Sequence, residues 1–287
     1  KINPSPFIPS DFDKRDKRSE EIFSIQTSAL VKRMDHTQIK NIVIGVSGGL
    51  DSTLALLVAV KSIDLLKLSR KNIHALTMPG FGTTRRTKSN AIFLAEHLGV
   101  KIEEIDITKG SRRQLDDIQH DGKVEDVTFE NVQARYRTMT LMDKANQIKG
   151  LVLGTGDLSE IALGWNTFSG DQISHYNVNA GIPKTLVKYL VKWASEQDEF
   201  SSAKESIEDI LDTPISPELV KGMGGKIVQK TEELIGPYEL HDFFLYHFLR
   251  WGSEPQRIFF LAKKAFFGKY KKEEIKKWLK IFITRFF

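Results

Sequence analysis

The chain has 287 residues, with 42 Lys plus Arg against 37 Asp plus Glu for a formal charge of +5, 40% hydrophobic residues and no cysteine. This is a globular composition, long enough to bury a large core as one domain or one domain with an appendage. The missing cysteine excludes a disulfide scaffold, a cysteine-ligated zinc or iron–sulfur centre and a thiol nucleophile, so the chemistry runs on oxygen, nitrogen or a metal held by carboxylates.

Pro4, Pro6 and Pro9, followed by the mixed-charge run Asp11 to Glu21, predict a linker over residues 1–19 that enters a helix near Glu20 to Met34. The N-terminus lacks the apolar core of a signal peptide, and no stretch reaches roughly 18 consecutive apolar residues, so a cytoplasmic protein without a membrane span is expected. The absent initiator Met predicts that Lys1 is not the natural start. Asn41 to Val46 is a short apolar run rich in β-branched residues, the pattern of a strand buried on both faces of a parallel sheet. Ser47-Gly48-Gly49 breaks it, and Leu50 to Leu66 returns to helical spacing with an apolar stripe of Leu54, Leu57, Val58, Ile63 and Leu65.

The unit then recurs. Ile73 to Met78 is a second strand, Pro79 to Gly82 a turn, and Thr87 to Leu98 a helix ended by Gly99, with a third strand at Val100 to Ile107. Thr108 to Asp126 is polar and glycine-containing, which predicts a mobile loop or lid. Thr128 to Ile148 is helical and Leu151 to Thr155 is another buried strand. Such alternation predicts an α/β fold with a doubly wound parallel sheet, whose ligands gather at the carboxyl ends of its strands. The strand ends with the most unusual residues are Ser47 to Ser52, Thr77 to Phe81 and Thr155 to Glu160. After Tyr189 the strand signal disappears, predicting a helical C-terminal extension.

The charge is uneven. Residues 251–287 hold ten basic and three acidic residues, a surplus of seven, leaving the first 250 at −2. Within that tail Ile275, Trp278, Leu279, Phe282 and Phe286 share one helical face, with Lys272, Lys276, Lys277 and Lys280 elsewhere. This predicts packing on the core or on a partner subunit, with neither nucleic acid nor membrane as partner.

The chemistry concentrates at Ser47-Gly48-Gly49-Leu50-Asp51-Ser52. A glycine turn between a buried strand and a helix N-terminus presents backbone N–H groups and hydroxyls to an anion, and the helix dipole favours phosphate there. The plainer alternative is a tight turn with an N-capping serine. S-G-G-x-D-S after a strand resembles the pyrophosphate loop of the N-type ATP pyrophosphatases, which cleave ATP between its α and β phosphates. The family's tRNA thiolases and sulfonucleotide reductases use cysteine sulfur, which this chain lacks. Asn131 to Arg135, Leu153 to Glu160, Ala162 to Trp165, Tyr176 to Leu186, Asp212 to Leu219 and Gly236 to Phe244 are similar to NAD synthetase, specifically the synthetase half of the glutamine-dependent type.

That resemblance implies a synthetase domain over 20–200 with 201–287 as its helical C-terminal part, and ATP-dependent amidation of deamido-NAD to NAD through an adenylated intermediate. It implies ATP contacts at Gly45, Val46, Ser47, Gly48, Gly49, Leu50, Asp51, Ser52, Thr155, Lys184 and Thr213. Mg²⁺ would be held by Asp51 and Glu160, with Asp51 and Lys184 acting in catalysis. Deamido-NAD would meet Asn131, Arg135, Glu160, Trp165, Asn166, Thr167 and Phe168. Read without the resemblance, Asp51 stabilises a helix dipole, Glu160 is a solvated helix glutamate, Lys184 is a surface lysine, Thr213 is a helix cap and Trp165 is a core tryptophan.

The resemblance further implies a homodimer or larger homo-oligomer, and a glutaminase domain in a longer natural chain. The residues present would take ammonia as nitrogen donor, because no cysteine is available to hydrolyse glutamine. Relatives continue past the position of Phe287 with a basic segment that reaches the substrate, so weakened turnover is an expectation for the form that ends there. Rival readings are another pyrophosphatase of the GMP synthetase or tRNA lysidine synthetase kind, and an inactive synthetase fragment.

Overall fold

A computed structural model describes the chain except for Lys1, Ser10, Thr84 and residues 214–233. Five strands, β1 (Asn41–Gly45), β2 (Ile73–Thr77), β3 (Lys101–Glu104), β4 (Gly150–Gly154) and β5 (Tyr176–Asn177), form one parallel sheet in the order β3-β2-β1-β4-β5. β1 takes the centre because Ile42, Val43 and Ile44 are apolar on both faces and fully buried. Ile44 lies opposite Ala75 on one side and Leu153 on the other. From β1 the chain winds outward to β3 and then returns to β4 on the other flank. The crevice between the carboxyl ends of β1 and β4 is therefore the switch point at which doubly wound sheets bind ligands.

On one face α2 (Leu50–Leu65) packs under α1 (Phe12–Thr37) and α7 (Lys184–Ser195). On the other, α5 (Val127–Ile148) covers β1 and β4. Ile42 and Ile44 join the first core and Val43 the second, as the period of two in a strand requires. The other α-helices among the described residues are α3 (Arg85–His97), α4 (Thr108–Asp117), α6 (Leu158–Leu163), α8 (Lys204–Leu211), α9 (Tyr238–Trp251), α10 (Pro255–Ala265) and α11 (Lys272–Phe286).

Three expectations change. The charged run assigned to a linker is the first half of α1, a 26-residue helix whose Phe23, Leu30 and Met34 enter the core while its charges stay in water. Under it, α2 is buried all round in place of the expected stripe: Leu54 to Val60 are all buried, because α1 and α7 cover the side a surface helix would expose, whereas Leu65, expected on the stripe, is exposed at the helix end. The polar segment predicted as a lid contains α4, which buries only Ser111 and Leu115, too few apolar positions to betray a helix by period. The same segment ends in order, with Asp126 capping α5 by accepting from the backbone of Thr128 and Phe129 at 2.9 and 3.0 Å.

The C-terminal helices build their own core from Phe243, Phe244, Ile258, Phe266, Leu279 and Phe282, closed by Leu163 of α6. Ile275, Trp278, Leu279 and Phe282 are thus buried within this chain. Three tail lysines lie over neighbouring rings, Lys263 over Phe259 at 5.0 Å, Lys264 over Phe260 at 5.1 Å and Lys277 over Trp278 at 4.1 Å. No helix among the described residues is long and apolar enough to cross a membrane. Replacing Phe282, fully buried against Phe244, Phe248 and Phe286, leaves a cavity. Phe282→Ala is expected to cost about 3–5 kcal/mol of stability, read as a lower urea midpoint with unchanged slope.

Candidate active site

The loop after β1 prolongs the sheet by one bond, Val46 N–H donating to the Leu76 carbonyl at 2.9 Å, and then turns. Gly48 adopts φ +84°, a left-handed conformation that side chains resist, and Gly49 opens α2 without any side-chain cap. Ser47 Oγ accepts from Gly49 N–H at 3.2 Å and lies 3.3 Å from Ser52 Oγ. The hydroxyls of Ser52 and Thr53 both donate to the Gly49 carbonyl, at 3.0 and 2.9 Å. Ser47 therefore shapes the loop and does not cap the helix. The first-turn N–H groups of α2, with Gly45, Val46 and Leu50 as flanks, are left facing the switch point.

Across the crevice, Thr155 follows β4, and Asp157 caps α6 by accepting from Glu160 N–H at 2.8 Å. Lys184, the first residue of α7, extends into the gap. Its ammonium, 4% exposed, donates to Asp51 Oδ2 at 2.6 Å and to Glu160 Oε1 at 2.8 Å, and lies 2.8 Å from Asp157 Oδ2. Asp51, Glu160 and Lys184 are thus brought together from three segments, and Asp157 joins them. Asp157 falls inside the Leu153 to Glu160 stretch but has no role among the sequence-derived site residues; a second acid three residues before Glu160 is the signal for it.

The electrostatics are dominated by burial. Desolvation raises Asp157 well above the carboxylate range, against the pull of Lys184, with Asp51 and Glu160 adding to the rise. Glu160, whose side chain is 24% exposed, is pushed up to about 7 by desolvation, partly offset by Lys184. Burial alone would lower Lys184, but Asp51, Glu160 and Asp157 outweigh it and raise the ammonium well above its ordinary range. The Tyr238 phenol is raised too, mainly by desolvation, and its ring lies 5.3 Å from Lys184 Nζ.

Three carboxylates around one ammonium leave a deficit of two positive charges when all are ionised. Asp51 Oδ1 is buried without a hydrogen-bond partner among the described residues, and one oxygen from each of Asp51, Asp157 and Glu160 lies within 4.8 Å of the others. An orphaned oxygen in a cluster of hard donors fits a Mg²⁺-sized cation.

A second layer holds these segments. Asp242 of α9, itself buried, accepts from the Thr185 backbone at 2.9 Å, from the Thr185 hydroxyl at 2.6 Å and from Ser159 Oγ. Ser159 Oγ in turn accepts from Lys184 N–H at 2.9 Å. Asp242 thus caps α7 from another helix, where Pro183 offers no side-chain cap.

The residues expected to face the dinucleotide also meet. Asn131 Oδ1 on α5 accepts from the Thr167 hydroxyl at 2.8 Å, and Arg135 Nε donates to the Phe168 carbonyl at 3.1 Å. Both side chains clasp the Trp165 to Phe168 segment, presenting the Phe168 ring at 76% exposure beside half-buried Asn166. Trp165 is half-buried under the Arg285 guanidinium, 5.2 Å from its ring, and Arg285 Nε donates to the Leu163 carbonyl at 2.8 Å. Thr213 lies past α8 with its hydroxyl donating to the Asp209 carbonyl at 2.8 Å, and no hydrogen bond among the described residues joins it to the cluster. The third unusual strand end, Thr77 to Phe81, is packed by α5: Arg137 donates to the Met78 carbonyl at 3.0 Å and Gln133 accepts from Phe81 N–H at 3.0 Å.

The NAD synthase family model matches residues 22–277. The chain belongs to the NAD synthase family. It is 46% identical to the glutamine-dependent NAD(+) synthetase of Mycobacterium tuberculosis, over 98% of this chain and 45% of that protein. With the synthetase of the same name from Thermotoga maritima the identity is 32%, over 87% of this chain and 41% of the relative. The chain therefore spans about half the length of the curated relatives it matches. Among solved structures it resembles the NMN synthetase of Francisella tularensis, with a TM-score of 0.67 and 25% identity over 88% of this chain and 96% of that one. The parallel sheet and its helices are thus those of NAD synthases.

Glu160 carries a pH signature. Its folded pKa, about 7, exceeds the ordinary 4.5, so the folded state holds an extra proton between these values. Stability from this group is complete below about 4.5 and is lost as pH rises through about 7. Glu160→Gln removes that dependence. Urea unfolding of both proteins from pH 4 to 8 is expected to show the stability difference shifting toward the variant as pH rises, and a flat difference would contradict the raised pKa.

Proposed function

We propose that the chain catalyses ATP-dependent amidation of deamido-NAD to NAD with ammonia as nitrogen donor. The observation that carries this reading is the Lys184 ammonium gathering Asp51, Asp157 and Glu160 beside the glycine loop at the switch point. In the first step a nicotinate carboxylate oxygen attacks the α-phosphorus of ATP, and the bond to pyrophosphate breaks. In the second, ammonia attacks the activated carbonyl carbon, loses a proton and displaces AMP.

Both partners in the first step are anions, so the site must offset their repulsion before attack. The backbone N–H groups of Leu50 to Ser52 and the hydroxyls of Ser47 and Ser52 would receive the pyrophosphate, with Gly48 and Gly49 letting it approach and Thr155 at the facing edge. Asp51 and Glu160, joined by Asp157, would hold Mg²⁺, which when bound neutralises triphosphate charge. Lys184, held charged by the three acids, is oriented to follow charge as it develops on the transferred phosphoryl group and the leaving pyrophosphate. The exposed Phe168 ring and the Trp165 segment, clasped by Asn131 and Arg135, offer an aromatic wall for the dinucleotide. Thr213 would join the ATP contacts from the end of α8.

Ammonia is the donor these residues support, since no thiol is present to attack glutamine; glutamine would serve only through a separate glutaminase domain. Release of AMP and formation of NAD from deamido-NAD, ATP, Mg²⁺ and ammonium tests the reading, with glutamine in place of ammonium as comparison. NAD formation is expected with ammonium alone. Its absence would overturn the proposal, and so would activity confined to glutamine. Asp51→Asn is expected to lower kcat/KM about 100-fold or more with an unchanged circular dichroism spectrum; unaltered turnover would remove Asp51 from the chemistry.

A further inference from the structure

The Asp51 loop and the Thr155 to Glu160 segment leave adjacent strands, and nothing in the strands themselves sets how far apart they stand beyond the sheet. Lys184 joins their carboxylates, and a second side chain joins their backbones. Asn179, fully buried past β5, donates both amide hydrogens across the gap, to the Asp51 carbonyl at 2.9 Å and to the Thr155 carbonyl at 3.0 Å. Its own backbone N–H donates to Asn177 Oδ1 at 2.9 Å, and Asn177 Nδ2 donates to the Gly156 carbonyl at 2.8 Å. The fork is held from behind by Gln26 of α1, also buried, whose amide donates to the Val178 carbonyl at 2.8 Å and to Asn179 Oδ1 at 3.2 Å. With both donors and its acceptor engaged, Asn179 has one orientation, and the distance between its two carbonyl partners is fixed by the span of a single planar amide.

We infer that Asn179, braced by Gln26, is the positioning residue that sets the separation of the Asp51 carboxylate from those of Asp157 and Glu160, and with it the affinity of the trio for a divalent cation. The inference rests on the reading of that trio as a metal site. Neither amide bonds to a carboxylate of the trio: Asn179 acts through the backbone carbonyls of Asp51 and Thr155, and Gln26 acts through Asn179 and the Val178 carbonyl. Leucine, close to asparagine in size but without donors, frees both carbonyls, and the two loops lose their common anchor.

The probe is Mn²⁺ alone, titrated without nucleotide and followed by electron paramagnetic resonance, on the unaltered protein, Asn179→Leu and Gln26→Leu, with thermal unfolding of each. Asn179→Leu is expected to weaken Mn²⁺ binding about tenfold, in the range lost when groups behind metal ligands are removed. Gln26→Leu, one bond further back, should weaken it in the same direction by less while remaining folded. In turnover assays both variants should raise the Mg²⁺ concentration for half-maximal activity more than they lower kcat. A merely structural role would lower the melting temperature and leave Mn²⁺ affinity unchanged. That result in either folded variant would overturn the inference while leaving the metal reading intact. Failure of the unaltered protein to bind Mn²⁺ would overturn both.

Discussion

Much of the architecture converges on a single buried ammonium. A lysine at 4% exposure keeps its charge only where polar partners compensate for lost water, and Lys184 has three carboxyl groups within 2.8 Å, from the first turn of α2, the cap of α6 and the first turn of that helix. The geometry places a strong demand on the fold, because removal of any one segment would strand charge in a low dielectric. Asp242 reaches in from α9 to hold the start of α7, so even the C-terminal helices take part in where the ammonium sits.

The basic, aromatic tail is consistent with this role. Lysines that in sequence look available for an external partner lie over phenylalanine and tryptophan rings of their own helices. Arg285, near the end of α11, grips the carbonyl end of α6 and covers Trp165. The last helix thereby presses on the short helix that carries Glu160. Part of the positive charge thus covers the tail's own aromatic rings while its lysine ends stay at the surface.

How much was legible in the sequence depends on how local the cause is. The strand at Asn41 to Val46, the glycine loop and the helix after it are written in neighbouring residues, and Asp51, Glu160 and Lys184 could be carried over on motifs that match position by position. α1 could not be read at full length, since its charged first half is helical by virtue of the apolar second half lying on α2, a long-range cause. α4 escaped because a helix that buries only Ser111 and Leu115 leaves almost no period. Asn179 and Asp242 look like ordinary polar residues in any local window. Their roles exist only once residues 128 and 57 positions away along the chain are brought within hydrogen-bond reach.

The two ends of the sheet bear on how such a chain reaches its folded state. A parallel sheet forms from distant segments and so passes through partly assembled forms with unpaired strands. Here one edge, β3, carries three charged residues in four, Lys101, Glu103 and Glu104, with Glu104 ion-paired to Lys88 at 2.7 Å and Glu103 to Lys144 at 3.0 Å. The other, β5, is two residues long. Neither offers a flat apolar row to a second chain, so the central strands, the stickiest part of the molecule, are shielded from intermolecular pairing as soon as β3 and β5 dock.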